Sequence, residues 1–179
     1  MSDKPEAESE EADEASADRH FAAIGRVASN WAYFELVIDD WCFRIADINR
    51  SIGSCFTTQV IGPSRKVDAF IALAGLFAPS SSIIGKLHEF AHDQIMPLSE
   101  RRNRVVHDPW FVAVKGYGHR YEITARRKLR EMIIKVSTDD VLKLARQIEE
   151  AVGDFHGLAG ALYDVVSASS NRPPSKYVL

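Results

Sequence analysis

The side chains best suited to chemistry are gathered in Arg101-Arg102-Asn103-Arg104-Val105-Val106-His107-Asp108-Pro109-Trp110. An Asp before a Pro is pushed out of the helical region, so a helix carrying this stretch must stop at about His107. A histidine in that last turn faces the unpaired carbonyls of the helix end, and imidazole is the side chain that exchanges a proton near neutral pH. Arg102 keeps its charge at any physiological pH and offers a planar fork of donors that matches phosphate. Asn103, one turn before His107, shares its helix face and can orient the imidazole or a substrate oxygen. A phosphate clamp, a proton carrier and an orienting amide are the parts needed to break RNA without a metal. The plainer alternative makes Arg102 a solvated residue and His107 a C-terminal cap.

A rival lies upstream, where His88-Glu89-Phe90-Ala91-His92 spells His-Glu-x-x-His, the pair of imidazoles one turn apart that holds zinc in metalloproteases. The surroundings depart from that motif. Lys86 and Asp93 are charged where uncharged residues belong, Gln94 replaces an apolar one, and no Gly and third His follow. A zinc-dependent hydrolase through His88 and His92 is therefore the weaker alternative, and no cofactor is expected. Two basic groups, Arg101, Arg102 and Arg104, then Arg126, Arg127, Lys128 and Arg130, flank a short β-like region and can offer one positive surface to a ribose-phosphate backbone. Tyr117 and His119, expected at a hairpin tip between them, can stack on a splayed base. There is no glycine-rich phosphate loop and no nucleophile elbow. Asp39-Asp40 and Asp139-Asp140 are adjacent pairs, which diverge on a helix and make no catalytic dyad.

Arg102-Asn103, then three residues, then His107 resembles the HEPN motif, an Arg followed by a polar residue and, four to six residues on, a His near the end of a helix. The resemblance implies an all-α core of four or five helices. It also implies a homodimer that brings two such motifs together and, in many members, metal-independent endoribonuclease activity. Only Arg102, Asn103 and His107 carry over. The trailing Pro-Trp and the β segment lie outside the common core, which would make this a decorated member. The same resemblance accommodates a non-catalytic, dimeric interaction module whose partner is a protein such as an antitoxin or a nucleotidyltransferase.

The elements that must hold these residues follow from periodicity. Residues 1–18 carry eight acidic residues and one Lys, leaving 17 acidic and 21 basic residues elsewhere, so a body of +4 stands against −3 for the whole chain. With no large apolar side chain, 1–18 read as a disordered acidic tail. A single helical domain is expected over 19–167, with a flexible tail at 168–179. Phe21, Ile24, Val27, Trp31, Phe34, Ile38, Trp41 and Ile45 mark a helix of about 19–48 whose aromatic load suits a core, shared in part with a dimer partner. Residues 51–63 read as a connection with one turn of helix around Thr57 to Val60. Ser64 opens a helix that ends before Pro79, and Ser80-Ser81-Ser82 opens the long central helix, with a kink at Pro97. Period two then takes over: strands at 110–115, 120–124 and 131–136, with Gly116–His119 as the hairpin loop, form an antiparallel meander at about 110–136. Ser137 with Asp140 signals the start of the last long helix.

The fold class is thus mainly α, an up-and-down helical bundle with a small meander inserted before its last helix. No apolar run is long enough to span a bilayer and the first residues are acidic, so neither a membrane nor a secretory role is expected. Cys42 and Cys55 are too few for a disulfide scaffold and lack metal spacing; Cys42 falls on an apolar stripe, and a reducing cytoplasm is the expected compartment.

Overall fold

Helical periodicity is realised along most of the chain. The computed structural model describes residues 4–60, 62–125 and 128–168. In chain order the elements are α1 (Lys4–Ala46), α2 (Arg50–Thr57), α3 (Pro63–Phe77), α4 (Ile83–Phe90), α5 (Met96–His107), β1 (Trp110–Val114), β2 (Tyr117–Thr124), β3 (Arg130–Ser137) and α6 (Thr138–Ala168). The protein is mainly helical, with a small antiparallel sheet of order β1-β2-β3 placed before the last helix. No helix among the described residues is long and apolar enough to cross a membrane.

Several boundaries differ from expectation for identifiable reasons. The acidic stretch expected to be disordered is helical from Lys4 onward. Its Ala and Glu residues have high helix propensity, and Ser16, buried, accepts a hydrogen bond from the Gly116 N–H at 2.7 Å. In place of one turn at Thr57–Val60, α2 spans Arg50–Thr57, with Asn49 capping the Ser51 N–H at 2.8 Å. Gly53, which reads as a helix breaker, is there because any side chain would collide with the Phe43 ring. Gly62, at φ 87°, and not Ser64, occupies the cap position of α3, with Pro63 in the first turn where a missing N–H costs nothing. Pro97 crowds the carbonyl four residues back, and the chain absorbs this just before it. Ala91–Ile95 widens into a π-helical turn in which Met96 N–H reaches Ala91 O, so α4 and α5 form one continuous helical run. α6 starts as expected: Asp140 N–H donates to Ser137 Oγ at 3.0 Å, and the Ser137 hydroxyl donates back to Asp140 Oδ2 at 2.6 Å. α6 includes Ala168, the first residue of the tail expected at 168–179, and the rest of that tail lies outside the described residues.

Contacts divide the chain into two compact units, Met1–Trp31 with Glu100–Ile148 and Ala32–Ser99 with Glu149–Leu179. The second is centred on Phe155, whose ring meets Phe34 at 5.8 Å, Phe70 at 5.1 Å and Phe90 at 6.0 Å between centroids. Beside this cluster the buried Lys66 ammonium pairs with Asp39 at 2.7 Å, with Glu35 at 3.9 Å. Cys42 is buried, and desolvation, reinforced by Asp39, pushes its thiol up to about 12.

In the first unit the hairpin turn is Lys115-Gly116, both residues at positive φ (51° and 79°), with Val114 paired to Tyr117. Positive φ at both central residues is the type I′ geometry that matches strand twist. Tyr117, Gly118 and His119, expected in the loop, are therefore strand residues. Side chains alternate along β2: Gly118 is buried and shares its face with Arg120 and Glu122, while Tyr117 and Ile123 are exposed on the other face with His119 and Tyr121 half-buried beside them. Phe21, placed on the apolar stripe of α1 by its spacing, is 49% exposed, whereas Val27 and Trp31 are buried.

Candidate functional site

α5 carries the Arg-Asn-His group over its last turn and a half. One donor nitrogen of Arg102, Nη1, lies 2.9 Å from His107 Nε2 and 3.1 Å from Asn103 Oδ1. Arginine can only donate, so Nε2 accepts and the imidazole proton sits on Nδ1. Asn103 and His107 are exposed and Arg102 is half-buried, so the three converge at the surface. Beneath the guanidinium lies the indole of Trp31, 5.8 Å from Arg102 Cζ to the ring centroid, a cation–π contact from a buried α1 residue.

The end of α5 is held from three sides. Trp110 donates its indole N–H to Val105 O at 2.8 Å, capping a carbonyl that the terminating helix leaves unpaired. Asp108 N–H bonds Arg104 O at 3.3 Å. A four-membered ion network then ties the helix end to β2: Arg104 lies 3.6 Å from Asp108 and 3.9 Å from Glu122, and Arg120 lies 2.9 Å from Glu122 and 3.7 Å from Asp108. Two guanidiniums stand against two carboxylates, so Arg104, expected to contact RNA, is also engaged within the protein. Arg101 instead points its exposed guanidinium to Gln147 Oε1 at 2.7 Å, leaving its charge uncompensated by that amide.

Behind Trp110, at a centroid distance of 4.8 Å, sits His20, fully buried. The Thr138 hydroxyl donates to Gly116 O at 3.1 Å and so accepts at 3.0 Å from His20 Nδ1–H. His20 Nε2 is buried without a hydrogen-bond partner among the described residues, and a Cβ on Gly118 would lie 2.5 Å from it. Burial holds the His20 imidazole below the usual histidine range. The neutral ring belongs to the folded state, whereas the unfolded chain takes up its proton near 6.5. The unfolded state therefore binds more protons below that value, so this contribution is full above pH 6.5 and declines as pH falls from there through the lower folded-state pKa. The expected result is a urea midpoint that drops between pH 7.5 and 5, with a shallower drop in His20→Gln; equal slopes in the two proteins would contradict it.

The other expected contacts disperse. Tyr117 is exposed and His119 half-buried on one face of the sheet, Lys128 is exposed before β3 and Arg130 at its first position, while Arg126 and Arg127 lie outside the described residues. His88 and His92 are exposed, and His92 Nδ1 sits 2.7 Å from Asp93 Oδ1. Among the described residues no group of three His, Cys, Asp or Glu side chains is arranged to hold a metal ion. The support that Trp31, Trp110, His20 and Arg120 give this site escapes a reading by spacing, which put Trp31 on an apolar stripe and Trp110 next to the Pro that ends the helix but linked neither to Arg102 or to α5.

Comparison of the chain with protein-family models, with curated proteins and with solved structures gives no match. The functional reading therefore rests on the geometry of Arg102, Asn103 and His107.

Proposed function

We propose that this is a HEPN-like protein that cleaves single-stranded RNA by metal-independent transesterification, acting as a homodimer. The observation that carries the reading is the convergence of a guanidinium, an amide and an imidazole at an exposed helix end, within 3.1 Å of one Arg102 nitrogen. An incoming phosphate competes for the Arg102 fork, which binds phosphate oxygens bidentately. Its departure frees the Nε2 lone pair of His107. That nitrogen takes the proton of the ribose 2′-hydroxyl as the 2′-oxygen attacks phosphorus and the bond to the 5′-oxygen breaks. The proton that the leaving 5′-oxygen needs comes from His107 of a second copy. Arg102 stabilises the charge that builds on the phosphoryl oxygens, and Asn103 holds the guanidinium in register. Arg101 and Lys128 are exposed cations available to the flanking strand.

The test uses chemistry alone. In EDTA the purified protein is expected to cut a single-stranded RNA oligonucleotide, leaving 2′,3′-cyclic phosphate and 5′-hydroxyl ends, and a 2′-deoxy residue at the cut position should block it. An uncut oligonucleotide, or cleavage that stops with the chelator, removes this reading.

One observation favours a second reading. Arg102 already occupies the lone pair that catalysis needs, and it rests on Trp31, as in a helix end whose role is structural. On that reading the protein is a non-catalytic HEPN-like interaction module, of toxin–antitoxin or stress-response type. Co-purification with the products of neighbouring genes, an antitoxin or a nucleotidyltransferase, in the absence of RNA cleavage separates the two.

A further inference from the structure

The solvent face of the sheet carries side chains that the cleavage chemistry does not use. Cross-strand register places Phe111, His119 and Lys135 in one row, Tyr121 and Ile133 in the next, and Tyr117 beside the turn. Phe111 is 50% exposed and Tyr117 41%. The Phe111 and Tyr121 rings meet edge-on at 6.2 Å, and Lys135 Nζ lies 3.9 Å above the Tyr117 ring. Four aromatic side chains from two adjacent strands thus share one face, Phe111 and Tyr117 exposed and His119 and Tyr121 half-buried.

We infer that this face is a stacking platform for unpaired bases of single-stranded RNA, which Phe111, Tyr117, His119 and Tyr121 receive while Lys115 and Lys135 meet the phosphates. The choice of RNA as the strand rests on the function proposed above; the platform itself does not require that His107 cut anything. Charge decides for a polyanion. Lys135 is exposed on this face and Lys115 is exposed in the turn at its end, and its one acidic side chain among the described residues, Glu131, acts on the Tyr121 hydroxyl and raises its pKa. Stacking on an exposed ring tolerates any base, because every base presents a π-face. An aromatic sheet surface is also a form in which single strands are bound when their bases are splayed away from a duplex.

The experiment separates this from cleavage by using the full chain as His107→Ala and measuring fluorescence anisotropy of a labelled 12-nucleotide single-stranded RNA. Binding is expected, and a duplex of the same sequence should bind more weakly. Phe111→Leu and Tyr121→Leu, which keep an apolar side chain, should each weaken binding roughly ten-fold, within the range for loss of one base–aromatic stack. Tyr121→Phe should bind as the parent does. Absence of binding, or equal affinity for the Leu and Phe variants, would overturn the platform. So would Tyr121→Leu converting a sedimenting dimer to monomer without changing RNA affinity, which would make the face a contact between copies.

Discussion

Replacing His107 with Ala is expected to reduce metal-independent RNA cleavage by about 10²–10⁴-fold, the span associated with a general acid–base group, while the helical circular-dichroism signal stays unchanged. His107 is exposed at the last position of α5, so its removal leaves no cavity. Val105 O keeps its bond from Trp110 and Arg104 keeps its carboxylates. A companion change separates charge from geometry. Arg102→Lys retains the positive charge but loses the planar fork that reaches Asn103 Oδ1 and His107 Nε2 from one nitrogen and rests on Trp31. An ammonium is a point charge that cannot hold a phosphate through two parallel bonds. Arg102→Lys should therefore fall nearly as far as Arg102→Ala, about 10²–10³-fold, as for a preorganised donor to transition-state charge. Cleavage surviving in His107→Ala would exclude this site as its source. An Arg102→Lys rate within a few-fold of the parent would show that charge alone suffices and that the fork is incidental.

The parts of this site that are local in sequence were legible in it, and the parts that support it from a distance were not. Arg102, Asn103 and His107 sit on one helical turn and a half, the helix ends where Asp108-Pro109 forces it to, and the structure brings the three together. Periodicity likewise located the central helix, the meander and the capped start of α6. Glycine misled twice, for the same reason. Gly53 and Gly118 look like breaks in a pattern, yet each lies inside a regular element because a ring crosses it, Phe43 in one case, His20 with Trp110 in the other. Spacing along one segment cannot announce a ring arriving from another. The same holds for Trp31 beneath Arg102 and for the Asp108 and Glu122 carboxylates that engage Arg104. The acidic first segment failed in the opposite direction. Its composition lacks anything to bury, but Ser16 needs only a hydroxyl to dock on the Lys115-Gly116 turn.

The largest stability effect is expected at Asp39→Ala, about 3–5 kcal/mol, the cost of leaving a buried charge without its partner. The Lys66 side chain is 8% exposed and that of Asp39 is 13%, with their charged atoms 2.7 Å apart. Neither has ready access to water, so removing the carboxylate leaves the ammonium desolvated. Glu35, at 3.9 Å and 30% exposed, softens the loss only in part. The pair itself is a different matter from its halves. Replacing both, as Asp39→Leu with Lys66→Met, removes the desolvation penalty together with the attraction, and should return stability to within about 1–2 kcal/mol of the parent or above it. Cys42 reports the same event chemically. Burial and Asp39 hold its thiol up at about 12, so it should resist thiol reagents in the parent and react faster in Asp39→Ala, where the surrounding packing opens more often. Urea midpoints and Cys42 labelling rates measured on the single and double variants decide the matter. A single variant as stable as the double one would mean that Lys66 finds water or Glu35 at no cost, and that this buried pair contributes little to holding α1 against α3.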